Sequence, residues 1–128
     1  MKKLKERLGL PAAHYRLHQD ILEGLPVALL ARLASELEIP KELLAKWLPG
    51  DVGGETMSVA AGEAFYRLAG MVEALLEIYD EDKSGIVRWL STPKTVLADE
   101  MPIHLLTTEA GGHAVLQLVH ALEHGLPV

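Results

Sequence analysis

The sequence contains no cysteine in its 128 residues. Disulfide bridges and thiolate metal centres are therefore excluded, which suits a reducing cytoplasm. No apolar run approaches the roughly 20 residues needed to span a bilayer. Met1-Lys2-Lys3 looks like the start of a signal peptide, but the stretch behind it is too polar for an h-region. The expectation is a soluble, cytoplasmic protein with no membrane partner. No alternating β-branched run of useful length occurs, which argues against strands. Nucleophile elbow, P-loop and glycine-rich dinucleotide turn are all missing. Ser58, Ser84 and Ser91 sit at helix-end signals, and Asp80 and Asp82 share a turn without a converging base. Nothing in the sequence gives a reason to expect an enzyme or a cofactor.

What is present is apolar and finely divided. Hydrophobic residues make up 49% of the chain, enough for a buried core, while eleven Gly and seven Pro cut it into short segments. The expected class is all-α: a compact bundle of short helices, with a helix-turn-helix-like N-terminal part and a helical C-terminal domain. Charge is unevenly spread. Residues 1–50 hold eight Lys/Arg and six Asp/Glu, and residues 51–128 hold four and twelve. The acidic second part repels nucleic acid and favours a basic partner or a pocket built for anions.

Three segments are expected. Residues 1–24 form a helical arm, with Tyr15, Leu17, Ile21 and Leu22 as candidate packing residues. Residues 25–57 restart after Gly24-Leu25-Pro26. Leu29, Leu30, Leu33 and Leu37 mark one helix, and Leu43, Leu44, Trp47 and Leu48 mark a second. The tight Glu38-Ile39-Pro40 connection between them gives the outline of a helix-turn-helix. Lys2, Lys3, Lys5, Lys41 and Lys46 are the candidate DNA contacts. The stretch after this pair, Pro49 to Met57, carries no positive charge and reads as a flexible connection. Because affinity for DNA rests largely on Lys/Arg at phosphates, the expected binding to duplex DNA is weak.

Residues 58–128 hold the strongest helical signal. Ser58 is a candidate cap for a run with Phe65, Leu68, Ala69, Val72, Leu75, Leu76 and Tyr79 at three- and four-residue steps. Asp82 can cap the next helix, with Ile86, Trp89 and Leu90 inward, until Thr92-Pro93 stops it. Pro102 opens a very short helix at the position where its missing N–H costs nothing. Gly111-Gly112 suits close backbone approach near the start of a last helix. That helix packs Val115, Val119 and Leu122, and Gly125 and Pro127 end it. His113, His120 and His124, with Gln117, fall opposite the apolar side. His120 and His124 have the spacing to share a zinc ion. With no third ligand of clear spacing identified, they read as a solvent or interface face, and no metal is expected.

The order Arg88-Trp89-Leu90, Pro93, Leu97, Pro102, Leu105-Leu106, Thr108, Gly111, Val115, Leu122 and Glu123-x-Gly125 resembles the toxin-binding domain of the Xre/MbcA/ParS antitoxins, partners of RES-domain toxins. The likeness covers most of the chain, more strongly from Ser58 onward. One position departs: where the family usually has paired small residues before Pro102, this chain has Ala98-Asp99. The resemblance implies the antitoxin of a type II toxin–antitoxin pair. Its partner would be a RES toxin that depletes nicotinamide adenine dinucleotide, held with its active site blocked. It further implies a homodimer within the complex, operator DNA as a second partner in autoregulation, and no cofactor. The implied toxin contacts are Arg88, Glu123, Gly125, Leu126, Pro127 and Val128, with the apolar tail and its carboxylate entering a pocket made for an anionic dinucleotide. The alternatives are a DNA-binding regulator of the Xre type and a helical interaction module with another partner.

Overall fold

The computed structural model describes residues 2–80 and 82–125. Among these are seven α-helices and two 3-10 turns, and no β-strand. The helices are α1 (Leu4–Arg7), α2 (His14–Glu23), α3 (Ala28–Leu37), α4 (Lys41–Trp47), α5 (Val59–Tyr79), α6 (Lys83–Leu90) and α7 (Glu109–Glu123). The 3-10 turns, Thr95–Leu97 and Pro102–Leu105, lie between α6 and α7. Among the described residues, no helix is long and apolar enough to cross a membrane.

Helix α5 is the axis. Ser58 starts it, its Oγ accepting from the Ala61 N–H at 3.2 Å. Ala61, Ala64, Phe65, Leu68, Ala69, Met71, Val72 and Leu75 are all buried. That arc is wider than a single amphipathic stripe, so several neighbours are needed to cover it. Helices α1, α2, α6 and α7 pack around it. Leu76 and Tyr79, expected inside, are half-buried at the edge of the arc.

The N-terminal arm is built into this core. Leu4 and Leu8 are 1% and 2% exposed. A helix as short as α1 has no stability of its own. It is held instead by partners far away in sequence. The Glu73 carboxylate on α5 accepts from the Lys5 N–H at 3.0 Å, doing the work of a cap. The Arg7 guanidinium grips Glu36 on α3 through two bonds of 2.9 and 2.8 Å. The Glu36 carbonyl in turn accepts from Lys83 Nζ on α6 at 2.8 Å. One residue thus ties three helices.

Two candidate packing residues of α2 are outside. Leu17 and Ile21 are buried, but Tyr15 is 73% and Leu22 58% exposed. At about 100° per residue, Tyr15 and Leu22 fall on the far side of the helix from Leu17 and Ile21. In the following pair, α3 and α4 pack on each other across a turn with Glu38 in the left-handed region, φ 60°. Leu44 is buried, while Lys41, Leu43 and Lys46 face solvent. The stretch 49–57, expected to be flexible, is hydrogen-bonded along its length. Asp51 and Ser58 bond reciprocally, the Val27 N–H donates to the Glu55 carbonyl, and the Met57 N–H donates to that of Leu25. The three segments therefore surround one continuous core, running from Leu4 to Val119.

Two outcomes follow for stability. Trp89 is 5% exposed, so Trp89→Ala should cost about 3–5 kcal/mol in denaturant unfolding. Trp89→Phe should cost much less, because the indole Nε1 has no partner within the described residues. The second outcome concerns acid. The Arg7 bonds hold the Glu36 carboxyl below its ordinary value, against the opposing effect of burial. The resulting stabilisation is complete above the unfolded carboxylate value, about 4.3, and is lost as pH falls through the lower folded value. Glu36→Gln should be less stable near neutrality and show a shallower fall in stability below about pH 4.3 in pH-dependent unfolding.

Candidate functional site

The C-terminal third is assembled from pieces too short to stand alone. Asp82 begins α6, its carboxylate accepting from the Gly85 N–H and from the Ser84 hydroxyl, each at 3.0 Å. Those bonds hold its carboxyl below the usual carboxylate value. Trp89 and Leu90 face the core at the other end of α6. Lys94 then lays its ammonium 4.7 Å from the centre of the Trp89 ring, and burial lowers its pKa. The contact is a cation–π interaction on the one large aromatic of the segment.

The loop from Lys94 to Glu100 closes on itself, the Lys94 N–H donating to the Glu100 carbonyl at 3.0 Å. Ala98 and Asp99 both sit at positive φ, 57° and 64°. This is the place where the chain departs from the paired small residues of the family pattern. Asp tolerates the left-handed region, and Ala does so at a steric cost of about 1–2 kcal/mol. Pro102 then opens the second 3-10 turn, as its position in the sequence implied.

Helix α7 begins at a close approach. Thr108 Oγ1 accepts from the Gly111 N–H at 2.9 Å. A Cβ on Gly111 would collide with the Leu105 carbonyl oxygen and lie 3.1 Å from both Leu105 Cβ and Thr108 Oγ1. Across this junction, Arg67 on α5 donates to the Leu106 carbonyl at 2.8 Å and pairs with Glu63 at 3.0 Å. Val115 and Val119 are buried against α5. The helix closes at His124, and Gly125 follows at φ 81°, the conformation that glycine adopts freely at a helix end.

Of the residues singled out in the sequence, Arg88 and Glu123 are exposed, on α6 and at the end of α7. Gly125 is exposed beside Glu123. Leu126, Pro127 and Val128 lie outside the described residues. The five lysines are not equivalent. Lys3 pairs with Glu77 at 3.6 Å, and Lys5 sits 4.9 Å over the Tyr66 ring, both against α5. Lys41 and Lys46 ride on α4, at the opposite end of the helix-turn-helix pair from Leu29 and Leu30 in sequence, and Lys2 is exposed. His113 and His120 on α7 and His124 at its cap are all exposed.

Three grooves follow the half-exposed edge of α5. One of about 360 Å³ includes His14, His18, Glu63 and Arg67. The next, about 330 Å³, includes Lys5, Tyr66, Gly70 and His113. The third, about 280 Å³, lies between Ala74, Glu77, Leu116, Val119, His120 and Glu123. Thr108 stands in the sequence pattern, and its capping role was findable as well, from a capping residue type directly ahead of Glu109. The Glu73–Lys5 bond was not, since it joins residues 68 apart in the chain.

Fold and site together define an all-helical protein whose last two helices and the loop between them form a stapled unit with exposed charged positions. Residues 73–125, which include that unit, match the family described as the antitoxin Xre/MbcA/ParS C-terminal toxin-binding domain. The chain is also similar to the protein named "Antitoxin Xre" of Yersinia enterocolitica serotype O:8 / biotype 1B, at 34% identity over 64 residues. That alignment takes in 50% of this chain and 43% of the relative, so it spans less than half the length of the curated protein. Residues 73–125 thus resemble the toxin-binding domain of the Xre/MbcA/ParS antitoxins.

The junction geometry makes a graded outcome. Gly111→Ala should destabilise by about 1–3 kcal/mol, because the added methyl meets backbone. Gly112→Ala should cost less, since its Cβ would meet the Arg67 side chain, at 3.3 Å, rather than backbone. Thermal or denaturant unfolding of the two variants measures the difference.

Proposed function

We propose that this protein is the antitoxin of a type II toxin–antitoxin pair, and that it acts without catalysis by binding and blocking the active site of a RES-domain, NAD-depleting toxin. The observation that carries this reading is the match of residues 73–125 to the toxin-binding domain. The identity of the toxin rests on the residue pattern from Arg88 to Gly125 and on the family's association with RES partners. The contacts are assigned to Arg88 and Glu123, both exposed, and to residues 125–128 beyond the last helix. A pocket that accepts an anionic dinucleotide should carry basic groups, and Glu123 and an acidic second half of the chain complement it. Proline at position 127 limits the conformations the tail loses on docking. A homodimer within the complex belongs to the same reading.

A second, DNA-directed role has its own support in the α3–α4 pair, where Lys41 and Lys46 are exposed. Lys3 is already paired with Glu77, and Lys5 lies against Tyr66, which leaves little free positive charge on α1 for phosphates. Operator binding would therefore belong to the assembled toxin complex rather than to the free chain.

The deciding experiment co-expresses the toxin with antitoxin variants at matched levels and follows cellular NAD. Deletion of residues 125–128, or a bulky tag appended after Val128, should abolish protection while leaving the circular dichroism and melting midpoint unchanged. An N-terminal tag should preserve protection. Full protection by the deletion would move the inhibitory surface to the exposed helix faces.

A further inference from the structure

The end of α7 sets a third donor beside the two histidines whose spacing suits a shared zinc ion. One ligand atom from each of His120, Glu123 and His124 lies within 4.8 Å of the other two. The spacing i, i+3, i+4 puts all three on one helix face. Glu123 supplies the third ligand that the pair His120 and His124 lacked when read alone. His120 Nδ1 stands 3.5 Å from Glu123 Oε1. Ligands about 2.0–2.2 Å from a tetrahedral ion are about 3.4 Å apart, so this edge is already close to the required length.

His124 is oriented by the backbone. Its Nδ1 lies 2.8 Å from the His120 carbonyl oxygen. A carbonyl only accepts, so Nδ1 carries the hydrogen and Nε2 presents its lone pair. Binding histidines are commonly fixed in this way, by a hydrogen bond from the other ring nitrogen. All three side chains are exposed, so the small rotations that bring the donors to one ion disturb no packing. The site lies at the C-terminal end of a 15-residue helix, where the helix dipole favours a cation. Among the described residues, no other group of three His, Asp or Glu donors converges in this way. His104 and Glu100, 3.1 Å apart, lack a third donor.

We propose that His120, Glu123 and His124 form a binding site for a divalent transition metal ion of the zinc class. Two imidazoles and one carboxylate suit Zn²⁺, with the remaining coordination open to water on the solvent side. Glu77 lines the adjoining groove but is engaged by Lys3 at 3.6 Å, so the site is a three-residue one. Glu123 is also assigned above to the toxin contact. The metal site does not depend on that assignment, because it is tested on the free protein.

The test titrates the metal-free full chain with Zn²⁺ by calorimetry and with Co²⁺ by visible absorption. One ion per chain is expected, with the more intense Co²⁺ bands of a low-coordinate site. His120→Ala and His124→Ala should each weaken binding by about tenfold or more, and Glu123→Gln by a smaller factor. His113→Ala and His104→Ala should bind as the parent does. Because every substituted side chain is exposed, unchanged circular dichroism is expected throughout. The proposal is overturned if the parent shows no saturable binding up to about 1 mM Zn²⁺, an affinity floor of about 4 kcal/mol. It is equally overturned if His120→Ala and His124→Ala bind like the parent, or if His113→Ala weakens binding as much as they do.

Discussion

A 21-residue helix with Ala61, Ala64, Phe65, Leu68, Ala69, Met71, Val72 and Leu75 all buried needs cover on most of its circumference. Each large apolar side chain fully removed from water contributes about 1.5–3 kcal/mol, so any neighbour that departs exposes a substantial part of the core. The short helices exist because of this demand. Four residues of α1 and four of the second 3-10 turn would be coil by themselves. Docked on α5 or on its neighbours, they become walls of one core.

The polar interactions serve the same arrangement by fixing where each wall sits. Glu36 joins α1, α3 and α6 through its carboxylate and its carbonyl. Arg67 holds the start of α7 by the Leu106 carbonyl. Glu73 completes α1. The Arg67 and Glu73 contacts lie on the edge of α5 that is not fully buried, and surface grooves run along that same edge. The exposed positions of α6 and α7 are thereby displayed from a framework that is pinned from behind.

Much of this was legible in the sequence. The α5 stripe, the Ser58 and Asp82 caps, Pro102 at the start of its turn, the tight Gly111 junction and Gly125 at the helix end all follow from local chemistry that neighbouring residues reveal. The inside and outside of α2 were harder, because a ten-residue helix with apolar residues at 15, 17, 21 and 22 fits two faces, and only α5 selects Leu17 and Ile21. The ordering of 49–57 depends on partners before α3 and at Ser58, which composition cannot disclose. The third member of the His120, Glu123 and His124 group was visible in the letters, but the distances among its donors needed coordinates.

The family boundary at residue 73 falls inside α5, after fourteen of its residues have already passed. The part that matches the family is therefore smaller than the part that packs as one core. A piece cut at that boundary would keep Leu75, Val115 and Val119 but lose Phe65, Leu68 and the Arg67 clasp on the loop ahead of α7. Change at the buried positions of the first half of the chain is accordingly felt in the second. The helices before α5 act as a chassis, free to vary on their outer faces but bound to preserve the apolar shape on which the C-terminal unit rests.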